Sequence, residues 1–79
     1  MHIVITDNEI ILSKQDYQSF REIQNDFFNF VTSLGPWSPE VVIDYLETEY
    51  PNITPSPEEQ VNALIKSGHF EVSLKGVSG

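Results

Sequence analysis

Hydrophobic positions in this chain alternate near its start, recur at helical spacing through its middle, and alternate again near its end. Residues 2 to 12, HIVITDNEIIL, hold two β-branched runs on either side of Asp7-Asn8. That pair tolerates the positive φ angles of a two-residue turn, so the segment predicts a β-hairpin. A loop at Asp7-Asn8 sets Ile5 opposite Ile10 and Ile3 opposite Leu12, all on one face. Val4 and Ile11 then pair on the other face, with His2 beside them. One face is a core face; the second is only partly polar.

Ser13 precedes Asp16 by three residues, an approximate capping box that predicts a helix start. Phe20, Ile23, Phe27, Phe30, Val31 and Leu34 follow at intervals of three and four. At about 100° per residue they fall within an arc of about 100°, the width of a core-facing stripe. Gly35-Pro36 is the expected stop of this helix. Ser38-Pro39-Glu40 starts a second helix, expected to reach Glu49 or Tyr50 before Pro51. The three prolines of residues 51 to 57 make a stiff connection, and Ser56-Pro57-Glu58-Glu59 repeats the start signal. Val61, Leu64 and Ile65 form the third apolar stripe, closed by Gly68. Phe70, Val72 and Leu74 alternate with Glu71, Ser73 and Lys75, which predicts a strand with one apolar face.

The expected fold is therefore a single small α+β domain over residues 1–79, in the order β-β-α-α-α-β. A three-stranded sheet carries the last strand beside the hairpin, and three helices pack on the Ile3, Ile5, Ile10 and Leu12 face. Residues 76–79 are expected to be a frayed tail. A chain of 79 residues hides only about 60–65% of its unfolded surface, so the core is small.

Composition narrows the function classes. The absence of cysteine excludes disulfide staples, thiolate zinc sites and thiol nucleophiles. With 39% hydrophobic residues the chain is too apolar for a disordered acidic tail. It has no run long enough for a membrane span and no charged-then-apolar leader, so a cytoplasmic location without membrane contact is expected. His2 and His69 are the only histidine bases, and neither lies in a serine elbow or a nucleophile–base arrangement. His69 and Glu71 would share a strand face, but two ligands do not make a metal site. Neither a metal, a cofactor nor an enzymatic role is expected.

The charge points elsewhere. Twelve acids against four bases leave a net charge of −8. A winged helix-turn-helix reading would make residues 57–67 the recognition helix, yet that segment begins with Glu58 and Glu59 and offers only Lys66. Duplex binding needs several bases on one surface. Direct nucleic-acid binding is therefore not expected.

Glu40, Asp44 and Glu47 share one stripe of the second helix, and Glu49, Glu58 and Glu59 extend the negative region across the proline linker. Residues 36–65 hold these six acids and no base. A solvated, solubilising helix face is one explanation. The other is a surface that meets a basic partner protein, guided by long-range attraction, with Trp37 and Tyr50 as aromatic anchors. A basic protein surface is often one that holds nucleic acid, so a small acidic domain can plug it, its carboxylates standing in for phosphates. In size and charge alone the chain is similar to phage- and plasmid-encoded inhibitors of restriction or CRISPR machinery; no motif accompanies that likeness.

The expectation is a non-catalytic acidic interaction module that binds and modulates, as an inhibitor, a basic and nucleic-acid-binding partner. Two rivals are a winged-helix regulator and a structural subunit that docks, or forms a homodimer, through the Val4 and Ile11 sheet face.

Overall fold

A computed structural model describes residues 1–77. The hairpin forms as its alternation requires: β1 (His2–Thr6) pairs antiparallel with β2 (Ile10–Ser13), with Ile3 opposite Leu12, Val4 opposite Ile11 and Ile5 opposite Ile10. The Thr6 N–H donates to the Glu9 carbonyl at 3.0 Å and closes the turn around Asp7-Asn8. After β2 come α1 (Phe20–Asp26), β3 (Phe30–Leu34), α2 (Pro39–Glu49), α3 (Pro57–Lys66) and β4 (Glu71–Ser73). The sheet is four-stranded and antiparallel, in the order β3-β1-β2-β4, so the hairpin is its centre. This is a small α+β fold with three helices.

The three-stranded sheet and the long first helix are corrected. Ser13 ends β2, and its hydroxyl meets the Tyr17 hydroxyl at 3.0 Å instead of capping a helix. The cap that forms lies six residues later: Ser19 Oγ accepts from the Glu22 N–H at 3.3 Å, and the Glu22 carboxylate accepts from the Gln18 N–H. Only seven residues follow in α1 before Phe27 turns extended. Asn29 then takes a left-handed φ of 59°, a conformation that asparagine tolerates and that breaks a helix. The chain returns as β3 along β1, giving the order β-β-α-β-α-α-β.

A bulge reconciles β3 with its apolar residues. Ile3 faces Leu34 and Ile5 faces Thr32, but Thr6 faces Phe30, so Val31 is an extra residue on β3. Leu34 packs with Ile3 and Leu12 against α2 and α3. Beyond the bulge, Phe30 packs with Val4, Ile11 and Ile23 on the opposite side. Val31 and Phe20 are each 55% exposed, against the buried stripe expected of them.

The helices therefore do not share one face. Ile3 and Leu12 join Val42 and Leu46 of α2 and Val61 and Leu64 of α3 in the main core. Ile23 of α1, with Tyr17 and Phe27, covers Val4 and Ile11 on the other side. Val4 is fully buried, so the free apolar face that a subunit or homodimer reading needed is closed by the chain itself.

The junctions hold the layers in register. Gly35, at a φ of 123°, lies where a Cβ would come within 2.6 Å of the Met1 carbonyl, so only glycine fits. The Trp37 N–H donates to that same carbonyl at 2.8 Å. Val77 packs on the main core and Gly76 lies against Ile53 and Thr54. The tail is thus packed at residues 76 and 77; the rest of the expected frayed segment, residues 78 and 79, lies outside the described residues.

The sign of two substitutions checks the break after α1. Asn29→Gly should be neutral or slightly stabilising, while Asn29→Ala should cost about 1 kcal/mol, because alanine resists positive φ. Urea denaturation of both variants measures this. A helix through residue 29 would reverse the order, with glycine the worse residue by about 1 kcal/mol.

Candidate functional site

The acidic layer is built by α2 and α3, each set by a serine cap and a proline in its first turn. Ser38 Oγ accepts from the Val41 N–H at 3.3 Å. Burial of Val42 and Leu46 against Ile3 and Leu12 fixes the rotation of α2 about its axis. At 3.6 residues per turn this leaves Glu40, Asp44 and Glu47 on the opposite, exposed side. Glu49 is exposed at the end of the helix. In α3, buried Pro57, Gln60, Val61 and Leu64 turn Glu58 and Glu59 outward.

The six carboxylates are not equivalent. Glu59 closes a capping box: its N–H donates to Ser56 Oγ at 3.2 Å, and the Ser56 hydroxyl donates back to its carboxylate at 3.4 Å. Glu40, Glu58 and Glu59 lie in first helical turns, where the helix dipole favours negative charge. Glu47 and Glu49 lie at the C-terminal end of α2, where no base accompanies them and the dipole opposes them. Each costs about 0.3–1 kcal/mol there. Burial pushes the Tyr45 phenol above its ordinary value, and the nearby Glu49 carboxylate and Tyr50 add to the rise.

The aromatic residues are less free than the anchor role asks. The Trp37 ring sits 5.5 Å from that of Tyr45, centroid to centroid, and packs on the main core. Tyr50 caps α2 through its N–H, which donates to the Leu46 carbonyl at 2.7 Å, and its half-buried side chain also meets the core. The exposed large apolar residues of the two helices are instead Val41 and Ile65, 46% and 44% exposed, although Ile65 was expected in the apolar stripe of the third helix. Each stands at the margin of its stripe, next in sequence to a buried residue, Val42 or Leu64, and so about 100° round the helix from it, which is the signal that could have shown them.

Two further features could not be read from local spacing. Lys14, at the end of the hairpin, reaches the far end of α3. Its ammonium donates to the carbonyls of Leu64 at 2.7 Å and Ser67 at 2.8 Å, capping that helix across 50 residues of sequence. A groove between α3 and β4 touches the acidic layer only at Glu59, and His69 lies on its rim. Among the described residues no three His, Asp or Glu side chains come together as a metal-binding group. No helix among them is long and apolar enough to cross a membrane.

The chain matches no family model, no curated protein and no solved structure with which it was compared.

His2 belongs to the second core. It is buried, its ring packs edge-on against Tyr17 at 5.1 Å, and its Nδ1 has no hydrogen-bond partner. Burial pushes its pKa below the ordinary histidine value, the positive chain terminus adds to this, and Asp16 opposes it. The unfolded chain therefore takes up this proton first. Stability from His2 is full above about pH 6.5 and is lost as pH falls through that value towards the folded-state pKa. The urea midpoint of the wild type should accordingly fall more than that of His2→Gln between pH 7.5 and 5.5, a window of about one unit on either side of the unfolded pKa. Parallel midpoints across that window would show that His2 titrates alike in both states.

Proposed function

We propose that this chain is a non-catalytic acidic interaction module that binds a basic partner protein and inhibits it by covering the surface the partner presents to nucleic acid. The observation that carries the reading is the placement of charge on α2. Glu40, Asp44 and Glu47 form an exposed stripe with no base between residues 36 and 65. Glu47 and Glu49 sit against the helix dipole, where a carboxylate weakens the helix. Local rules of helix stability are characteristically broken at functional sites, and this breach lies on an exposed face.

The physics of the proposed contact is attraction at a distance. Uncompensated carboxylates on one layer raise the encounter rate with a Lys/Arg-rich surface and select against acidic ones. Spacing along a helix face also lets successive carboxylates meet successive bases, as phosphates of a nucleic-acid strand would. Glu40, Asp44, Glu47, Glu49, Glu58 and Glu59 supply the charge. Trp37 and Tyr50 flank it as half-buried contacts. The sharper form of the reading is a nucleic-acid mimic directed at a nuclease or defence complex of the restriction or CRISPR kind, in the cytoplasm. Only the charge pattern supports that step.

Charge reversal separates a binding face from a solubilising one. Glu47→Lys and Glu49→Lys should each raise stability by about 0.3–1 kcal/mol, because the dipole at the end of α2 favours a cation. Glu40→Lys, Asp44→Lys and Glu47→Lys together should abolish capture of a nucleic-acid-processing protein from nuclease-treated host lysate, with circular dichroism unchanged. Capture by the wild type should hold at about 50 mM salt and fail at about 500 mM, where exposed charges are screened over a few ångströms. Capture undiminished by the triple reversal would overturn the reading.

A further inference from the structure

The outer edge of β4 and the adjoining side of α3 form a groove whose backbone groups can be assigned one by one. The Leu74 N–H donates to the Ile10 carbonyl at 2.7 Å, and the Lys14 N–H donates to the Phe70 carbonyl at 2.8 Å. Val72, between them, lies opposite Leu12. Along a strand, successive residues aim their N–H and C=O groups to opposite sides. Residues 70, 72 and 74 therefore bond to β2, and Glu71, Ser73 and Lys75 direct their backbone groups away from the sheet.

At Lys75 those outward groups are taken by a side chain of α3. The Lys75 N–H donates to Gln60 Oε1 at 2.8 Å, and Gln60 Nε2 donates to the Lys75 carbonyl at 3.0 Å. Nε2 also donates to the Pro55 carbonyl at 2.8 Å, so the buried amide is locked. A primary amide bonded at two points in this way stands where the peptide group of a neighbouring strand would stand. No comparable cap meets the backbone of Glu71 or Ser73 among the described residues. Beside them the groove, about 350 Å³, is floored by Ala63 and Leu64 of α3 and Val72 of β4.

We propose that this groove accepts one extended segment of a partner protein, which adds to β4 as a fifth, antiparallel strand alongside Glu71–Ser73 and ends at Gln60. The backbone supplies affinity and the two faces of the added strand supply specificity. On the α3 side an apolar side chain opposite Val72 meets Ala63 and Leu64. On the other face a Lys or Arg opposite Glu71 forms a cross-strand ion pair. Glu71 is exposed, and the rim adds Glu59 in a chain of net charge −8. Lys75 is at the end that Gln60 closes. The occupant is thus an alternating basic and apolar strand. Its basic character rests on the partner reading above; its backbone pairing rests on the register alone.

The probe is a fluorescein-labelled, amidated hexapeptide of alternating lysine and valine, with binding read by anisotropy at about 150 mM salt so that loose charge contacts are screened. In antiparallel addition the lysines opposite Glu71 and Ser73 turn their N–H groups to β4, and the valines turn theirs to solvent. N-methylation of the lysine residues should weaken binding about tenfold or more, whereas N-methylation of the valine residues should change it by less than about threefold. Ala63→Phe, an exposed position that fills the groove without entering the core, should also weaken the parent peptide at least fivefold with an unchanged melting temperature. Equal affinity of all three peptides, or binding indifferent to Ala63→Phe, would overturn the strand-addition site. A glutamate–valine peptide that binds as tightly as the lysine–valine one would instead overturn the basic occupant. The Glu40, Asp44 and Glu47 reversal should leave peptide affinity within about threefold, so failure of the acidic face and failure of the groove read out separately.

Discussion

The central hairpin has two apolar faces, and the rest of the fold follows from having to cover both. Ile3 and Leu12 point one way while Val4 and Ile11 point the other, and all four are buried. A two-stranded hairpin with water on either side would leave one of these pairs exposed and would be marginal by itself. The chain responds with unequal cover. α2 and α3 lie over the Ile3 side, and the short α1 lies over the Val4 side. An isolated helix of seven residues is far below the ~12–15 needed for even marginal stability in water, so α1 exists because Ile23 has Val4 and Ile11 to cover.

How much of this was legible in the sequence depends on the range of the interaction concerned. The hairpin register, the starts at Ser38 and Ser56, and the capping box of Glu59 are settled by neighbours within a few residues, and each stands where the spacing puts it. Residues 20–34 deceive because their apolar positions fit a helical stripe by coincidence. Phe30, Thr32 and Leu34 also alternate, and the β-branched Val31-Thr32 favours a strand. Local competition was decided by Asn29 at positive φ and by the unpaired edge of β1, the second of which is invisible to a single segment. The bulge at Val31 then turns Phe30 to the α1 face, a consequence of pairing that no periodicity records.

The same distinction separates the two candidate surfaces. Exposure of Glu40, Asp44 and Glu47 follows from the burial of Val42 and Leu46 on the same helix, so the acidic stripe can be read from α2 alone. The groove beside β4 cannot. It requires Gln60 to meet Lys75, a pairing fifteen residues apart that depends on how α3 lies across the sheet. Gln60 is a polar residue that its helix neighbours do not mark out, yet it is buried, with both amide N–H groups donating and its oxygen accepting. The aromatic anchors fall between these cases. Trp37 and Tyr50 sit at the edge of the layer, and the small core draws both rings partly inward.

Charge and sheet edge also constrain one another. An open strand edge invites pairing with a second copy of the same chain, and proteins guard against this with short edge strands and charged side chains. β4 is three residues long, carries exposed Glu71, and is stopped at one end by Gln60. Two copies meeting edge to edge would each bring a net charge of −8. Repulsion of that size opposes self-association over about a Debye length, some 8 Å at physiological salt, while it draws in a basic segment over the same distance. On the proposed reading, the acidity that opposes pairing of the edge with a second copy is also what would favour a basic occupant. If both proposals hold, the carboxylates of α2 would set which surfaces approach and the backbone of β4 which segment stays.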